Sequence, residues 1–534
     1  MGCDASAVVI RVFVSATTSQ NTIERKRAET IQALAKDTLD LLIIGGGIVG
    51  AGVARDAAMR GLRVGLVEQH DFAFGTSSRS SRLLHGGLRY LAQGRLGLVR
   101  EASLEKRILH RIAPHLAEPL PFIFPTYKGT QWPLWQLRIG VKVYDLLCNG
   151  KNLGKSSSLT RSQVLARVPN LQPERLTGGV RYFDALTNDA RLVIDTLRSG
   201  AKQGALLLNY LQFKTASRQS GRWICEFEDR LTGQKQTVSA RAIVNATGPW
   251  SERVPHSQVK LRLTKGIHVV FESRRLPVPE AVALTQGKRL LFVIPWGERV
   301  IVGTTDTDYG GPLDDVRAMP ADIDYLLRAV NELFPSAGIG QTDIISTWAG
   351  LRPLIAEPGS ETGFSKEAPS DVARSHQIRN PEPGWWDLAG GKLTTYRLMA
   401  EQAMNEVVRW LKKSNQLDVG TVTCRTAEEL LLPASETRGV SGILPPDIGR
   451  GTVEHFCSNE WALHLDDLMI RRTGWHYYFR DARAKAEQVA DWMSQMLGWT
   501  PEKRAAELAR YEKLSTGNED EEVVFSARAK QKRS

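Results

Sequence analysis

The sequence predicts an α/β protein in which a Rossmann-like dinucleotide-binding domain is combined with a sheet-rich portion and a carboxyl-terminal helical domain. A strand at residues 41–44, a glycine-rich loop, a helix at 48–60 and a strand at 62–67 follow one another as a βαβ unit. Between about 200 and 305, several runs alternate apolar and polar residues with a period of two, which predicts strands. Apolar residues recur at helical spacing within 482–497. These three observations define the fold class.

Length and composition restrict the possible functions. The chain has 534 residues, more than one core usually supports, so we expect two or three domains. No run of 18 apolar residues occurs, which argues against a membrane-spanning helix. Basic residues exceed acidic ones by 12, 70 against 58, which favours anionic partners. Because acidic residues are interspersed and no nucleic-acid motif is found, nucleic acid is not predicted. The five cysteines contain no CxxC pair, so a reducing compartment and no metal site are expected.

Four segments are expected along the chain. Their bounds are 1–38, 39–424, 425–512 and 513–534. The first is interpreted as a disordered extension, although its start formally matches a lipidation signal at Gly2. The second should contain the dinucleotide-binding domain interleaved with a substrate-binding domain, drawn mainly from about 105–185 and 255–350. The third reads as helical, and the polar tail is expected to be disordered.

The loop of the βαβ unit has the spacing of a dinucleotide-binding motif. Gly45 would permit the tight turn, Gly47 would let the backbone approach a pyrophosphate, and Gly50 would allow the helix to pack closely on the strand. The helix that begins there presents free N–H groups and a positive dipole end to phosphates. Glu68, at the end of the second strand, can accept hydrogen bonds from a ribose diol. Gly46 completes the loop. This motif alone does not distinguish FAD from NAD.

Residues 76–90, TSSRSSRLLHGGLRY, resemble the TSSxSSxLxHGGLRY signature of the FAD-dependent glycerol-3-phosphate dehydrogenases. Further motifs follow in the order of that family: NATGPW at 245–250, KGIH at 265–268, GTTD at 303–306, GLRPL at 350–354, GGKLTTYR at 390–397, and LDDL with RRT at 465–473. The resemblance covers about residues 38–500. It implies FAD as the cofactor, bound by a Rossmann-like domain of the glutathione-reductase and D-amino-acid-oxidase type.

The resemblance also implies which residues contact the cofactor. Hydroxyl and amide groups of the first motif can bind diphosphate oxygens without adding charge, and the helix after 390–391 suits the flavin pyrimidine, where charge accumulates on reduction. Taken alone, the hydroxyl-rich run is equally consistent with a polar turn. Beyond the glycine loop, the expected contacts are Thr76, Ser77, Ser78, Ser81, Gly86, Gly87, Ala246, Thr247, Gly248, Gly391, Lys392, Leu393 and Thr394.

A substrate phosphate carries nearly two negative charges, so its site should present several cations, and arginine suits a bidentate grip. Arg89, Arg352 and Lys392 lie within the family motifs, and Tyr90 could add a hydroxyl donor. An arginine outside such motifs would more often form a surface ion pair. The predicted substrate is sn-glycerol 3-phosphate.

Oxidation at C2 of this substrate requires a base for the hydroxyl proton and a hydride acceptor, the flavin N5. A histidine has a suitable pKa, and both His85 and His268 lie in matching motifs beside glycines. The sequence leaves open which of them is the base. Arg352 would stabilise developing alkoxide charge.

The segment 132–144 mixes aromatic and aliphatic residues with Arg and Lys, as expected for a helix lying in a membrane interface. A core-facing amphipathic helix fits equally well. The resemblance favours peripheral attachment to the cytoplasmic face of the membrane, with a location in the cytoplasm as the alternative. It also implies that the electrons are passed to quinone. An oxidase that uses oxygen and a non-catalytic flavin-binding protein remain alternatives, and a homodimer is left open.

Overall fold

The structure is a computed structural model that describes residues 22–91, 93–130, 132–286, 289–356, 376–414 and 423–516. Gly2 and residues 517–534 of the predicted tail therefore lie outside the described residues. The chain divides into a larger unit, residues 29–446, and a smaller unit, residues 1–28 with 447–534.

The α-helices and strands are numbered in chain order. The helices are α1 (residues 22–36), α2 (Ile48–Met59), α3 (Leu96–Ile112), α4 (Leu134–Leu147), α5 (Arg161–Arg167), α6 (Asp189–Lys202), α7 (Pro320–Leu333), α8 (Tyr396–Lys413), α9 (Ala434–Thr437), α10 (Arg450–Asn459), α11 (Trp475–Tyr478), α12 (Ala482–Leu497) and α13 (Pro501–Thr516). The strands are β1 (Leu39–Ile44), β2 (Val64–Val67), β3 (Leu83–Leu84), β4 (Glu118–Tyr127), β5 (Ser157–Leu159), β6 (Leu176–Leu186), β7 (Leu206–Leu208), β8 (Leu211–Gln219), β9 (Arg222–Asp229), β10 (Lys235–Asn245), β11 (Leu261–Glu272), β12 (Ala281–Gln286), β13 (Arg289–Trp296), β14 (Arg299–Gly303), β15 (Thr307–Asp308), β16 (Ser346–Ile355), β17 (His376–Glu382) and β18 (Trp385–Gly390).

The first sheet of the larger unit contains the predicted βαβ unit. Its order is β17-β18-β10-β1-β2-β7, and β10, β9 and β8 also form an antiparallel meander. The strands from β18 to β7 pair in parallel. Nearly every residue of β1 is buried, as expected for a parallel strand covered on both faces. The carboxyl ends of β1 and β10 therefore lie side by side, with the glycine loop and residues 245–248 adjacent.

The second sheet supplies the other wall of the site. Its order is β15-β11-β14-β13-β12-β4-β6-β3, with β16 paired to β11 and β5 to β6. The pairing is antiparallel except between β12 and β4. One face packs against α7 and α5 in a core of aliphatic side chains that includes Val269, Leu326 and Val164. The runs predicted as strands within 200–305 are confirmed as parts of β9, β11 and β13.

The prediction that residues 1–38 form a disordered extension is wrong for α1, because residues 22–36 are helical. Leu34 is buried against the core that also contains Leu39 and Leu42, and Ile31 packs on the same cluster. The apolar residues at 31 and 34 have the spacing of one helix face, and burial of this face gives the helix its tertiary support.

The smaller unit is helical, as predicted. Helix α12 has the predicted bounds, and its buried residues include Ala486, Val489 and Met493. The compact unit begins at residue 447 rather than the predicted 425, and α13 continues to Thr516, past the expected end at 512. Among the described residues, no helix combines the length and the apolar character needed to cross a bilayer.

Candidate active site

A cavity of about 580 Å³ in the larger unit is bordered by both sheets. Its lining runs from Gly45 and Glu68 at the ends of β1 and β2, past Thr247 after β10, to His268 on β11 and Lys392 after β18. Four separate motifs of the sequence therefore meet in one volume, although they lie as far apart as residues 45 and 392. A cavity of this size is typical of ligand-binding sites.

The glycine loop has the shape that a pyrophosphate requires. Gly45 has φ +110°, and a Cβ there would lie 2.6 Å from the carbonyl oxygen of Ala246. A Cβ at Gly50 would lie 1.9 Å from the carbonyl oxygen of Gly45, which is the close packing predicted for this residue. Gly47 is the residue before α2, so the N-terminal N–H groups of that helix border the cavity. These residues fit the diphosphate of FAD.

Glu68 is held in place at the end of β2 by two backbone donors. The N–H groups of Gly46 and His70 each donate to its carboxylate, at 2.8 Å. Burial raises the pKa of Glu68, and the charge of His70 and the two backbone donors oppose that rise. The carboxylate borders the cavity, so its predicted hydrogen bonds to a ribose are consistent with its position.

The hydroxyl-rich run from Thr76 to Ser81 links the two sheets. The hydroxyl of Thr76 donates to the carbonyl of Leu351 on β16 at 2.7 Å. Ser77 accepts from the N–H of Ile48, the first residue of α2, at 3.0 Å. The hydroxyl of Ser81 lies 2.8 Å from Nε2 of His268. This run therefore holds both the cofactor loop and a predicted catalytic histidine, rather than forming only a polar turn.

His268 is held tightly. Only 2% of it is exposed, and its ring stacks on Trp348 with centroids 5.0 Å apart. A Cβ at Gly303 would lie 2.2 Å from its Cδ2, so glycine is required opposite the ring. Burial, then the charges of Arg352 and Arg82, lower the pKa of His268 to about 3. The ring is therefore neutral at pH 7, and within the described residues its buried Nδ1 has no hydrogen-bond partner.

Arg352, on β16, is oriented from one side. Its guanidinium donates to the carbonyl of Thr305, at 3.2 Å, and to the hydroxyl of Thr304, at 3.0 Å, and forms an ion pair with Asp306 at 3.1 Å. A Cβ at Gly266 would lie 2.4 Å from this guanidinium. The side chain borders the cavity, so a positive charge is directed to the place where the substrate is expected.

Lys392 and His85 approach the cavity from the other side. The ammonium of Lys392 lies 4.3 Å from the centre of the Tyr90 ring, and Gly87 leaves space for both groups. The backbone N–H of His85 donates to the hydroxyl of Thr394 at 3.0 Å, and that hydroxyl lies 3.2 Å from the carbonyl of His85. His85 is half-buried and borders the cavity.

The structure brings most of the predicted site residues to the cavity. Of the predicted set, those that line it are Gly45, Gly47, Glu68, Thr76, Ser77, Ser81, His85, Gly87, Ala246, Thr247, Gly248, His268, Arg352, Gly391, Lys392, Leu393 and Thr394.

The other predicted residues lie elsewhere. Tyr90 is fully buried beneath Lys392, so the prediction that its hydroxyl faces the substrate is not supported by its position. Gly46, Gly50, Ser78 and Gly86 are buried behind the cavity wall. The side chain of Arg89 lies outside the described residues.

Two features of the site were missed in the sequence. The first is the pair Asp306 and Thr304, which orient Arg352. Both lie in the GTTD motif, so their importance, although not their role, could have been inferred from the sequence. Asp184 on β6 also borders the cavity, and it is paired with buried Lys106 on α3 at 2.8 Å. No local pattern joins these two positions.

Comparisons with known proteins agree with this geometry. A family model described as FAD dependent oxidoreductase matches residues 40–415, and one for the C-terminal domain of alpha-glycerophosphate oxidase matches residues 437–504. The aerobic glycerol-3-phosphate dehydrogenase of Staphylococcus aureus is 40% identical over 401 residues, 73% of this chain and 70% of the relative.

Solved structures give the same result. The glycerol-3-phosphate dehydrogenase of Bacillus halodurans, complexed with FAD, superposes with a TM-score of 0.72 at 28% identity and covers 93% of this chain and 98% of its own. The L-alpha-glycerophosphate oxidase of Mycoplasma pneumoniae, with FAD bound, has a TM-score of 0.57 at 18% identity, over 74% of this chain and 99% of its own. The second likeness shows the fold alone.

The fold and the cavity define an FAD-dependent oxidoreductase. Within that class, the chain belongs to the family of FAD-dependent glycerol-3-phosphate dehydrogenases. The predicted family, fold class and cofactor are thereby confirmed.

Proposed function

We propose that this chain oxidises sn-glycerol 3-phosphate at C2 to dihydroxyacetone phosphate and passes the electrons to a quinone at the cytoplasmic face of a membrane. The observation that carries the proposal is that Arg352, Lys392, His85 and His268 border the same cavity as the glycine loop. Two cations suit a phosphate dianion, and an imidazole suits a proton transfer. The named relatives act in the same chemical class.

The bound flavin supplies the hydride acceptor, its N5 atom. The residues of the chain that would hold it are the glycine loop, Glu68, the run from Thr76 to Ser81, and the turn Gly391–Thr394. Lys392 and Arg352 bind and orient the phosphate-bearing substrate. Arg352 also stabilises negative charge on the C2 oxygen as its proton leaves.

His85 is the better candidate for the base. A general base works best with a pKa near the working pH, whereas the pKa of His268 is lowered to about 3 by burial and neighbouring arginines. We therefore propose that His85 accepts the proton of the C2 hydroxyl. His268 stays neutral, holds Ser81 and presents its ring to the substrate.

Two histidine variants test this division. His85→Asn should lower kcat by about 10²–10⁴-fold, the usual contribution of a general base, with flavin content unchanged. His268→Asn should lower kcat less. His110→Asn is the matched control, because His110 lies on α3 and bonds to the carbonyl of Ala117, away from the cavity. Wild-type kcat in the His85 variant would contradict the assignment.

Anaerobic titration tests the reaction itself. Purified protein should show a flavin spectrum that bleaches on addition of glycerol 3-phosphate. Re-oxidation by a quinone analogue, with slow re-oxidation by oxygen, supports the dehydrogenase. Rapid peroxide formation would favour an oxidase, the activity named for the domain that matches residues 437–504. A spectrum that does not change would indicate a non-catalytic flavin protein.

The acceptor and membrane part of the proposal is based on α4. Trp135, Ile139 and Leu146 on this helix are 60%, 58% and 72% exposed. Arg138 and Lys142 beside them are also exposed, a combination that suits an anionic lipid surface.

An apolar groove lies next to this face of α4. It has a volume of about 540 Å³ and shares Leu88 and Phe124 with the active-site cavity. Trp132 and Val143 also line it. A quinone bound there would lie against the wall of the flavin cavity, which is where an electron acceptor is needed.

Vesicle binding tests this part. Trp135→Ser with Ile139→Ser should weaken binding to phosphatidylglycerol vesicles by about 10²-fold or more, because each buried apolar side chain contributes about 1.5–3 kcal/mol. Activity with a soluble dye acceptor should stay at the wild-type level. Leu231→Ser, at another exposed leucine (41% exposed), is the control. Equal vesicle binding by all proteins would contradict attachment through α4.

A further inference from the structure

Three buried polar side chains lie directly behind the loop that carries His85. They are Lys106 on α3, Tyr144 on α4 and Asp184 on β6. Lys106 and Tyr144 are fully buried, and Asp184 is 3% exposed. A charged pair in such surroundings is costly unless each member is hydrogen-bonded. Their contacts therefore have to be accounted for.

The contacts converge on Gly86. The ammonium of Lys106 donates to Oδ1 of Asp184 at 2.8 Å and to the carbonyl of Phe183 at 2.9 Å. The Tyr144 hydroxyl donates a short hydrogen bond to the same Oδ1. The backbone N–H of Gly86 donates to the Tyr144 oxygen at 2.8 Å and more weakly to Asp184 at 3.3 Å.

The contacts of this cluster determine which way the hydroxyl hydrogen of Tyr144 points. The Tyr144 hydroxyl has one hydrogen, and the charge of Asp184, stabilised by Lys106, draws that hydrogen toward itself. The lone pairs of the tyrosine oxygen are then left to accept from the N–H of Gly86, at 2.8 Å, and more weakly from the ammonium of Lys106, at 3.3 Å. Burial and the Asp184 carboxylate keep the pKa of Tyr144 well above its usual value, so the hydroxyl stays protonated and this direction is fixed.

The loop is packed on these groups with no spare room. A Cβ at Gly86 would lie 2.3 Å from the Tyr144 oxygen and 2.5 Å from the Ser103 hydroxyl. From the opposite side, Thr394 bonds to both backbone groups of His85. The main chain at residues 85 and 86 is therefore clamped between the flavin-side turn and α4.

We propose that Tyr144, fixed by Asp184 and Lys106, is a positioning residue that holds the backbone at Gly86 and thereby aims His85 into the active site. This inference rests on the role proposed above for His85. It also gives α4 a second task, because the helix that exposes Trp135 and Ile139 on one face contributes Tyr144 from its buried face.

The test uses the full-length, flavin-loaded protein and the variant Tyr144→Phe, which keeps the ring and removes only the hydroxyl. We expect kcat to fall by up to about 10²-fold, the size of effect that a misplacement of about 1 Å produces. KM for glycerol 3-phosphate and flavin content should stay close to wild type, whereas the melting temperature should fall, because the buried N–H of Gly86 loses its nearer acceptor. Tyr127→Phe is the matched control, because it removes a hydroxyl that bonds to the carbonyl of Gln172 at 3.1 Å, outside this cluster.

A double-mutant cycle with His85→Asn separates positioning from general structural damage. If Tyr144 acts through His85, the double variant should be no slower than His85→Asn alone. A multiplicative loss in the double variant, or wild-type kcat in Tyr144→Phe, overturns the inference. Should Tyr144→Phe purify without flavin, Asp184→Asn decides: a matching kcat loss with KM retained supports the inference, and wild-type kcat overturns it.

The same measurements keep this inference distinct from the proposed function. Wild-type kcat in His85→Asn overturns the role of His85 and the positioning inference with it. A strong defect in His85→Asn together with wild-type kcat in Tyr144→Phe overturns the positioning inference alone.

Discussion

Replacement of Gly303 by alanine tests whether His268 must occupy its present position. The new Cβ would lie 2.2 Å from Cδ2 and 2.8 Å from Nε2 of His268. The ring would have to move by about 1.2 Å, from 2.2 Å to the 3.4 Å at which ordinary contact begins. Trp348 stacks on the ring at a centroid distance of 5.0 Å, and the ring is 2% exposed. The ring therefore cannot move that far without disturbing its 2.8 Å hydrogen bond with Ser81.

Overpacking of this kind costs about 1–3 kcal/mol of stability, and a shift of about 1 Å in the active site costs about 10²-fold in turnover. We expect Gly303→Ala to fold and bind FAD with a lower melting temperature, and kcat to fall by about 10²-fold in a dye-reduction assay. Gly310→Ala is the control, since nothing lies within 4 Å of a Cβ there. A Gly303→Ala protein with wild-type kcat would refute the reasoning, because it would show that the position of His268 does not matter.

Three further predictions concern charge. Lys392→Met should raise KM for glycerol 3-phosphate by about 10–100-fold, the effect of losing a charged hydrogen bond, and steady-state kinetics at constant flavin content would show it. Because the pKa of His268 is lowered to about 3 and an unfolded histidine titrates near 6.5, the free energy of unfolding should fall as the pH drops from about 6.5 toward 3; a denaturant series on His268→Gln should show a smaller decline. Burial would raise the pKa of Asp466, but Arg471 and Arg510 outweigh it and the pKa is lowered. Asp466→Asn should therefore lower the unfolding free energy by about 3–5 kcal/mol near pH 7. The difference between wild type and variant should become smaller as the pH falls below about 3.9, where the aspartate is protonated in the unfolded chain, and a difference that stays constant would contradict this.

The cofactor half of the site could be predicted from the sequence because its determinants are local. The turn at Gly45, the packing at Gly50 and the carboxylate at Glu68 depend on spacings within one βαβ unit, and the structure places each where the motif requires. The helix α1 was also within reach. Ile31 and Leu34 mark its buried face, but two buried-face positions in a segment rich in charged residues are a weak signal.

The support behind the site could not be predicted in this way. Lys106, Tyr144 and Asp184 lie on three different elements, and their contacts depend on how α3, α4 and β6 pack. No periodicity relates their positions in the chain. Tyr90 shows the same limit, because a tyrosine in a functional motif gives no sign of whether it faces the cavity or, as here, lies beneath Lys392.

The segment from Thr76 to Ser81 explains why one short motif characterises the whole site. Its first hydroxyl is bonded to β16, the strand that carries Arg352, the second receives the first N–H of α2, and its last faces His268. A shift in any of the three partners would be transmitted to the other two within six residues of backbone. The segment therefore connects the cofactor loop of the first sheet to Arg352 and His268 on the second sheet. Such a connection is needed because the hydride acceptor and the C–H bond lie against different sheets and must keep a fixed separation.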